Sequence, residues 1–232
     1  MKMKIEIWSD VMCPFCYLGK HKFESALTQF DNKEYIEVEW KSFQLNPELV
    51  TDPTISIHQY LSDIKGFPID QARLMNDRFK EAGKKFGLDY NFDKIIVANS
   101  YRAQNLIHFA KEQDKQNEME ERLFKAYFSE GKNIDDIPTL VLIASETGLN
   151  TDGLAEILEN KSYAEKVELD IAEARHLGIR GVPHFVINRK FGISGAQETS
   201  VFVNALKKSF ADWVKDYPEI QRKIPTYSFK PE

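Results

Sequence analysis

The chain has 232 residues, 42% of them apolar, and its 16 Phe, 9 Tyr and 3 Trp are enough for a substantial core. A net charge of −5 without any basic block argues against nucleic-acid binding, and no run of about 18 apolar residues is present to cross a membrane. The length allows one large domain or a domain carrying an insertion. Met1-Lys2-Met3-Lys4 leads straight into an alternating strand, without the apolar stretch and cleavage site of a secretory leader, so a cytoplasmic location is expected.

Residues 4–8 alternate as a strand and end in Ser9-Asp10. The two cysteines of the chain follow, Cys13 and Cys16, at the start of a helical pattern. At a helix start the Cys13 sulfur faces unpaired backbone N–H groups and the positive end of the helix dipole. Both favour the thiolate, which is the nucleophile. Pro14 suits the first helical position. Cys16, Gly19, Phe23, Leu27 and Phe30 recur at steps of three and four, so Cys16 heads a buried stripe and Gly19 permits close approach there. Cys13 is expected to project from the helix tip. One accessible, acidified sulfur and one sheltered sulfur are what reversible disulfide exchange requires.

Other uses of this spacing fit less well. A structural zinc site needs four ligands, and no second cysteine pair or His-x-His cluster exists, so no metal is expected. Covalent haem attachment needs a histidine where Tyr17 stands. His21 lies roughly 12 Å along the helix axis from Cys13 and is no thiol partner. In the cytoplasm an isolated Cys-x-x-Cys is more readily catalytic than structural.

Asp31-Asn32-Lys33 breaks the helix. Residues 35–45 alternate (Ile36, Val38, Trp40 against Glu37, Glu39, Lys41) and read as a second strand with one polar face, parallel to the first. Residues 51–162 read as helices, at 56–65, 70–86, 99–115, 117–130, 136–147 and 151–158, several stopped by glycine. The charged run 111–122 reads as a solvated face. A helix at 163–177 ends at Gly178. Pro183 then heads an apolar strand, where its missing N–H does no harm. Residues 185–187 and 191–194 form a hairpin. An amphipathic helix through about residue 214 turns Phe202, Ala205, Leu206, Phe210 and Trp213 inward. The tail, 218–232, is expected to run extended over the surface.

With Cys13-Pro14-Phe15-Cys16 after the first strand and Gly181-Val182-Pro183 before the third, the chain resembles the DsbA-like branch of the thioredoxin superfamily. The run from Ser9 to Gly19, Asn99-Ser100, the run from Leu177 to Pro183, and Ile193-Ser194-Gly195-Ala196-Gln197 are similar to FrnE-type proteins. The resemblance implies an α/β thioredoxin-like fold (β-α-β … α-β-β-α) interrupted by an all-helical insertion. Residues 1–50 and 163–215 would form the thioredoxin-like domain, 51–162 the insertion and 216–232 a tail. It further implies Cys13 as the attacking cysteine, Cys16 as the resolving one, and Pro183 as a cis-proline facing them. Pro14, Phe15, Val182 and His184 would complete the site, with the Val182 backbone pairing an extended substrate.

Two positions depart from that pattern. Gln104 stands where relatives often carry a histidine, and His184 follows the proline where relatives carry a hydroxyl or apolar residue. An imidazole there would stabilise the Cys13 thiolate or take a proton. Pro14-Phe15 supplies no cation, so the Cys13 pKa is expected below the free value of about 8.5 yet above about 3.5. The potential is expected between roughly −270 and −120 mV.

The implied function is a thiol–disulfide oxidoreductase or isomerase acting through a mixed disulfide on protein or small-molecule thiols. It would bind no cofactor, with glutathione as a candidate co-substrate, and either a monomer or a homodimer is compatible. The alternatives are a glutathione-dependent isomerase or kappa-class-like transferase, with Asn99 and Ser100 beside a ligand groove, and a non-catalytic chaperone module that binds peptides beside Pro183.

Overall fold

In the computed structural model, which describes residues 1–222, the N-terminal alternation forms strand β1 (Met3–Ser9). Helix α1 (Pro14–Thr28) leads to β2 (Ile36–Ser42), which lies parallel to β1 with Ile5 opposite Val38 and Ile7 opposite Trp40. This strand is shorter than 35–45, because a 3-10 turn occupies Lys33–Tyr35.

The regular elements that follow are helices: α2 (Ile57–Lys65), α3 (Ile69–Lys84), α4 (Tyr101–Lys111), α5 (Gln116–Lys125), α6 (Ile137–Glu146), α7 (Leu154–Glu159) and α8 (Ala164–His176). Helix α2 shows how they are bounded. The Ser56 hydroxyl accepts from the Gln59 N–H at 3.1 Å, and Gly66 ends the helix at φ 69°, a conformation that costs a glycine little. Helix α5 does not continue to residue 130 as a regular helix but widens into a π turn over Ala126–Glu130.

Strands β3 (His184–Ile187) and β4 (Phe191–Ser194) form the hairpin, and β3 runs antiparallel beside β1. The sheet order is β2-β1-β3-β4. Helix α9 (Thr199–Trp213) follows. The extended tail is corrected at its start: Pro218–Gln221 is a short helix, α10, which begins with a proline and buries Ile220. The remainder of that expectation, 223–232, lies outside the described residues.

Helices α1 and α9 cover one face of the sheet. Phe185 meets Phe23 and Phe202 there, with ring centroids 5.4 and 4.7 Å away, over Ile5, Ile7 and Ile187. On the other face Trp8 and Val186 pack with Ala174 of α8, and the Trp8 indole donates to the Asp170 carbonyl at 2.9 Å. The polar side of β2 is therefore covered at Glu39 and Lys41, while Glu37 stays exposed. Glu39 is buried between Lys4, at 2.5 Å, and Lys111, while Asp170 meets Lys41 and His108. The apolar core runs without a break from β1 through Tyr17, Phe124 and Phe128 to Tyr90 and Phe92. Residues 51–162 thus share one core with the sheet.

Candidate active site

Both ends of the β1–α1 junction are pinned by Asp10. Its carbonyl accepts the Cys13 N–H at 2.9 Å, and its carboxylate accepts the N–H groups of Leu45 at 2.7 Å and Met12 at 3.2 Å. Cys13 sits at the N-cap with extended backbone angles, and its carbonyl accepts from Cys16 N at 3.0 Å. Pro14 opens the helix. One turn further, Gly19 leaves room for the loop before β3, because a Cβ there would lie 3.0 Å from the Pro183 ring. The Val182–Pro183 peptide is cis, and the Val182 carbonyl accepts from the Cys13 thiol at 3.5 Å. Cys13, Cys16, Pro14, Val182 and Pro183 therefore meet at one point of the fold.

Cys13 is not the accessible sulfur that its place at the helix tip suggests: it is 3% exposed. Side chains from residues 79–90 close over the junction. The Tyr90 hydroxyl donates to the Pro14 carbonyl at 2.9 Å, and the Phe79 ring meets Phe15 edge-on with centroids 4.6 Å apart. Phe15 itself is half exposed, as is Leu45 on the segment bonded to Asp10. Cys16 is wholly buried, and that burial, with Cys13 beside it, pushes its thiol up. The Asp10 backbone N–H and the Ser9 hydroxyl oppose the shift.

His184 lies elsewhere than beside the thiolate. Strand alternation turns Phe185 toward α1 and sets His184 on the face of Val186 and Trp8, with its ring against Gly192. Burial lowers its pKa, and among the described residues it makes no hydrogen bond to a cysteine. Asn99 is also spent within the chain: its amide donates to the carbonyls of Pro47 and Leu49 and accepts from Gln44 and the Tyr101 N–H, while the buried Ser100 hydroxyl has no hydrogen-bond partner among the described residues.

A polar network lies beneath the cysteines. The Ser9 hydroxyl donates to Glu120 Oε1 at 2.7 Å, and Gln104 donates to the carbonyls of Ser9 and Phe43, each at 3.2 Å. Glu120 is 1% exposed and its second carboxyl oxygen has no partner. Burial raises Asp10 to about 6 and Glu120 to about 7. Glu120 falls inside the run 111–122 that reads as solvated from the sequence. The signal that places it inward is its spacing from Leu123, Phe124 and Tyr127, one helix face at i+3, i+4 and i+7.

One cluster has metal-ligand geometry. His21, Glu24 and Glu121 bring ligand atoms within 4.8 Å of one another. The buried Lys20 ammonium already bonds both carboxylates, at 2.7 and 2.8 Å, and fills the cationic position.

A family model described as a DSBA-like thioredoxin domain matches residues 4–207. The protein YwbO of Bacillus subtilis (strain 168) is 32% identical over 215 residues, covering 89% of this chain and 96% of that protein. The crystal structure of a probable DsbA oxidoreductase from Streptomyces coelicolor superposes with a TM-score of 0.84 at 31% identity, covering 90% of each chain. The cytosolic disulfide reductase DsbM from Pseudomonas aeruginosa, solved with GSH, shares the fold at a TM-score of 0.60 and 17% identity, covering 95% of this chain and 100% of that one.

Proposed function

The chain belongs to the DSBA-like thioredoxin domain family, and from that premise we propose that it is a thiol–disulfide oxidoreductase working through the Cys13–Cys16 pair. Cys13 attacks a substrate disulfide and forms a mixed disulfide, releasing one thiolate. Cys16 then attacks Cys13 and releases the second. The observation that carries this reading is the junction itself. One cysteine stands at a helix N-terminus against the Val182–Pro183 loop, and the other lies one turn deeper with no access of its own.

The substrates in this reading are proteins or small thiols and disulfides. The Val182 backbone offers a place for an extended chain to pair, and half-exposed Phe15 and Leu45 supply apolar contact. Glutathione is the small thiol to try first, since the DsbM relative was solved with it. A cytoplasmic location belongs to the same reading. Among the described residues no helix is long and apolar enough to cross a membrane.

The test is a redox titration. The protein is equilibrated in glutathione buffers of graded potential and its free thiols are trapped and counted. A reversible two-electron transition that disappears in Cys16→Ser supports the couple, and its midpoint gives the direction of electron flow. A stable glutathione adduct with no internal disulfide would favour the glutathione-dependent isomerase reading instead.

A further inference from the structure

We propose that the cover over Cys13 makes the site selective for low-molecular-weight disulfides over disulfides carried by polypeptides, with Phe79 and Tyr90 setting the limit. Of the two kinds of substrate in the oxidoreductase reading this selects one, and it rests on that reading, with Cys13 as the attacking sulfur.

The two residues close the junction in different ways. Tyr90 is a fixed wall. Its ring stacks on Phe92 with centroids 5.4 Å apart, and it meets Phe128 and Tyr17 edge-on at 5.3 and 5.6 Å. Gly83 of α3 leaves the slot for this ring, since a Cβ there would fall 2.6 Å from Tyr90 Cε2. From the slot the hydroxyl reaches the Pro14 carbonyl at 2.9 Å. Displacing Tyr90 therefore breaks a hydrogen bond and an aromatic cluster that belongs to the shared core.

Phe79 belongs to a pair with one movable member. It is buried beside Phe92 and Tyr90, with centroids 6.3 and 6.4 Å away, and only its edge contact with Phe15 reaches α1's first turn. Phe15 is 51% exposed, and Phe79 is its one aromatic neighbour among the described residues. Turning Phe15 outward gives up that single contact and leaves α3 in place. On the other side of Cys13 stands the loop before β3, where the Val182 carbonyl accepts from the thiol at 3.5 Å. The Pro183 ring closes on Gly19 of α1. Entry past Phe15 is thus the opening that disturbs least.

Thiolate attack needs the sulfurs in line and close, at about 3–3.5 Å. The Cys13 thiolate bonds to one sulfur of the disulfide, the S–S bond breaks, and the second sulfur leaves as a thiolate with the electron pair. Cys13 is oxidised into the mixed disulfide and the leaving sulfur is reduced. A disulfide on short, flexible arms meets that geometry through one opening. A polypeptide continues on both sides of its cysteine, so it needs a second exit. That exit requires α3 to lift, with loss of the Tyr90–Pro14 bond.

The experiment gives reduced protein three mixed disulfides of 5-thio-2-nitrobenzoate and follows release of the coloured thiolate. One is on cysteamine, one on a single-cysteine unfolded peptide and one on the surface cysteine of a stable folded protein. Dithiothreitol, which has no cover, is given the same probes, and its rate ratios correct for the reactivity of each probe. After this correction the wild type should favour the cysteamine probe over the folded one by about 10²-fold, within what the walls of a pocket supply, and over the peptide by about tenfold. Phe79→Leu keeps an apolar side chain but withdraws the ring edge, and should lower both preferences about tenfold. Tyr90→Phe keeps the ring and removes only the hydrogen bond, should lower them about fivefold, and carries the test if Phe79→Leu fails to fold. Corrected ratios near one in the wild type, or ratios unchanged in folded variants, would overturn the proposal. A peptide probe as fast as the cysteamine probe would overturn it too, with an extended chain as the occupant. No release from any probe by wild type whose thiols are shown to be reduced would overturn the oxidoreductase reading itself.

Discussion

Along β2 the buried carboxylates meet cations, whereas beneath the cysteines the buried carboxylates meet neutral donors. Burial alone would raise Glu39, yet hydrogen bonds from Lys111 and Lys4 hold it at about 2. Asp170 is likewise buried but lowered by His108, Lys41 and the Ser42 N–H. Asp10 and Glu120 have backbone N–H groups and hydroxyls instead, and burial prevails. The first region is charged throughout the physiological range and its work is cohesion. The second changes charge near neutral pH.

The largest effect should come from breaking the ionic region. Asp170→Ala leaves Lys41, His108 and the Ser42 N–H without their shared acceptor. Removing one member of a buried charged set costs about 3–5 kcal/mol, and urea unfolding would show it as a lower midpoint at constant slope. A loss below about 1 kcal/mol would mean that the cluster behaves like exposed pairs.

The acids under the cysteines should show the opposite sign with pH. Their folded pKa values lie above their unfolded ones, so the native state binds protons more tightly and the stabilisation is lost as pH rises through the folded values, about 6 and about 7. Between about pH 5 and pH 8, Glu120 should account for a loss of roughly 2–3 kcal/mol, at about 1.4 kcal/mol per unit. Glu120→Gln should remove that share from the pH profile of the urea midpoint. A profile identical in both proteins would place the Glu120 pKa near its ordinary value and dissolve the contrast between the two regions.

The smallest effect concerns the cover over the site. Tyr90→Phe deletes the bond to the Pro14 carbonyl and should cost about 1 kcal/mol, with faster alkylation of Cys13 by iodoacetamide. An unchanged alkylation rate would show that Tyr90 does not limit access to the sulfur.

These three tests fall on features that were unequally legible in the sequence. The β1–α1 junction could be read locally, since Ser9 through Cys16 carry the strand end, the cap position and the helix start in a few residues. The hairpin at 185–194 and the close approach at Gly19 were legible for the same reason. What covers Cys13 was not, because Phe79 and Tyr90 lie more than sixty residues further along and nothing local ties them to the junction. The orientation of His184 follows from strand alternation after Pro183, which sets it on the face opposite Phe185. Glu120 was hidden by its charged neighbours, although Leu123, Phe124 and Tyr127 mark its face as inward. The charged side of β2 was illegible for a further reason: alternation shows which residues share a face, and only α8 and α4 determine that Glu39 and Lys41 on it are covered.

The position of β1 has a consequence for synthesis on the ribosome. β1 is an inner strand, and one of its two edges waits for β3: Ile5 pairs with Ile187, far along the chain. At translation rates of about 5–20 residues per second, that edge stays unpaired for roughly 10–40 s after β1 emerges. Until then β2 can pair only the opposite edge, and a strand as apolar as Met3–Ser9 with an open edge is a template for other nascent chains. The sheet that positions both cysteines therefore closes only after residue 187 has been made, and until then the pair lacks the Val182–Pro183 loop that faces it.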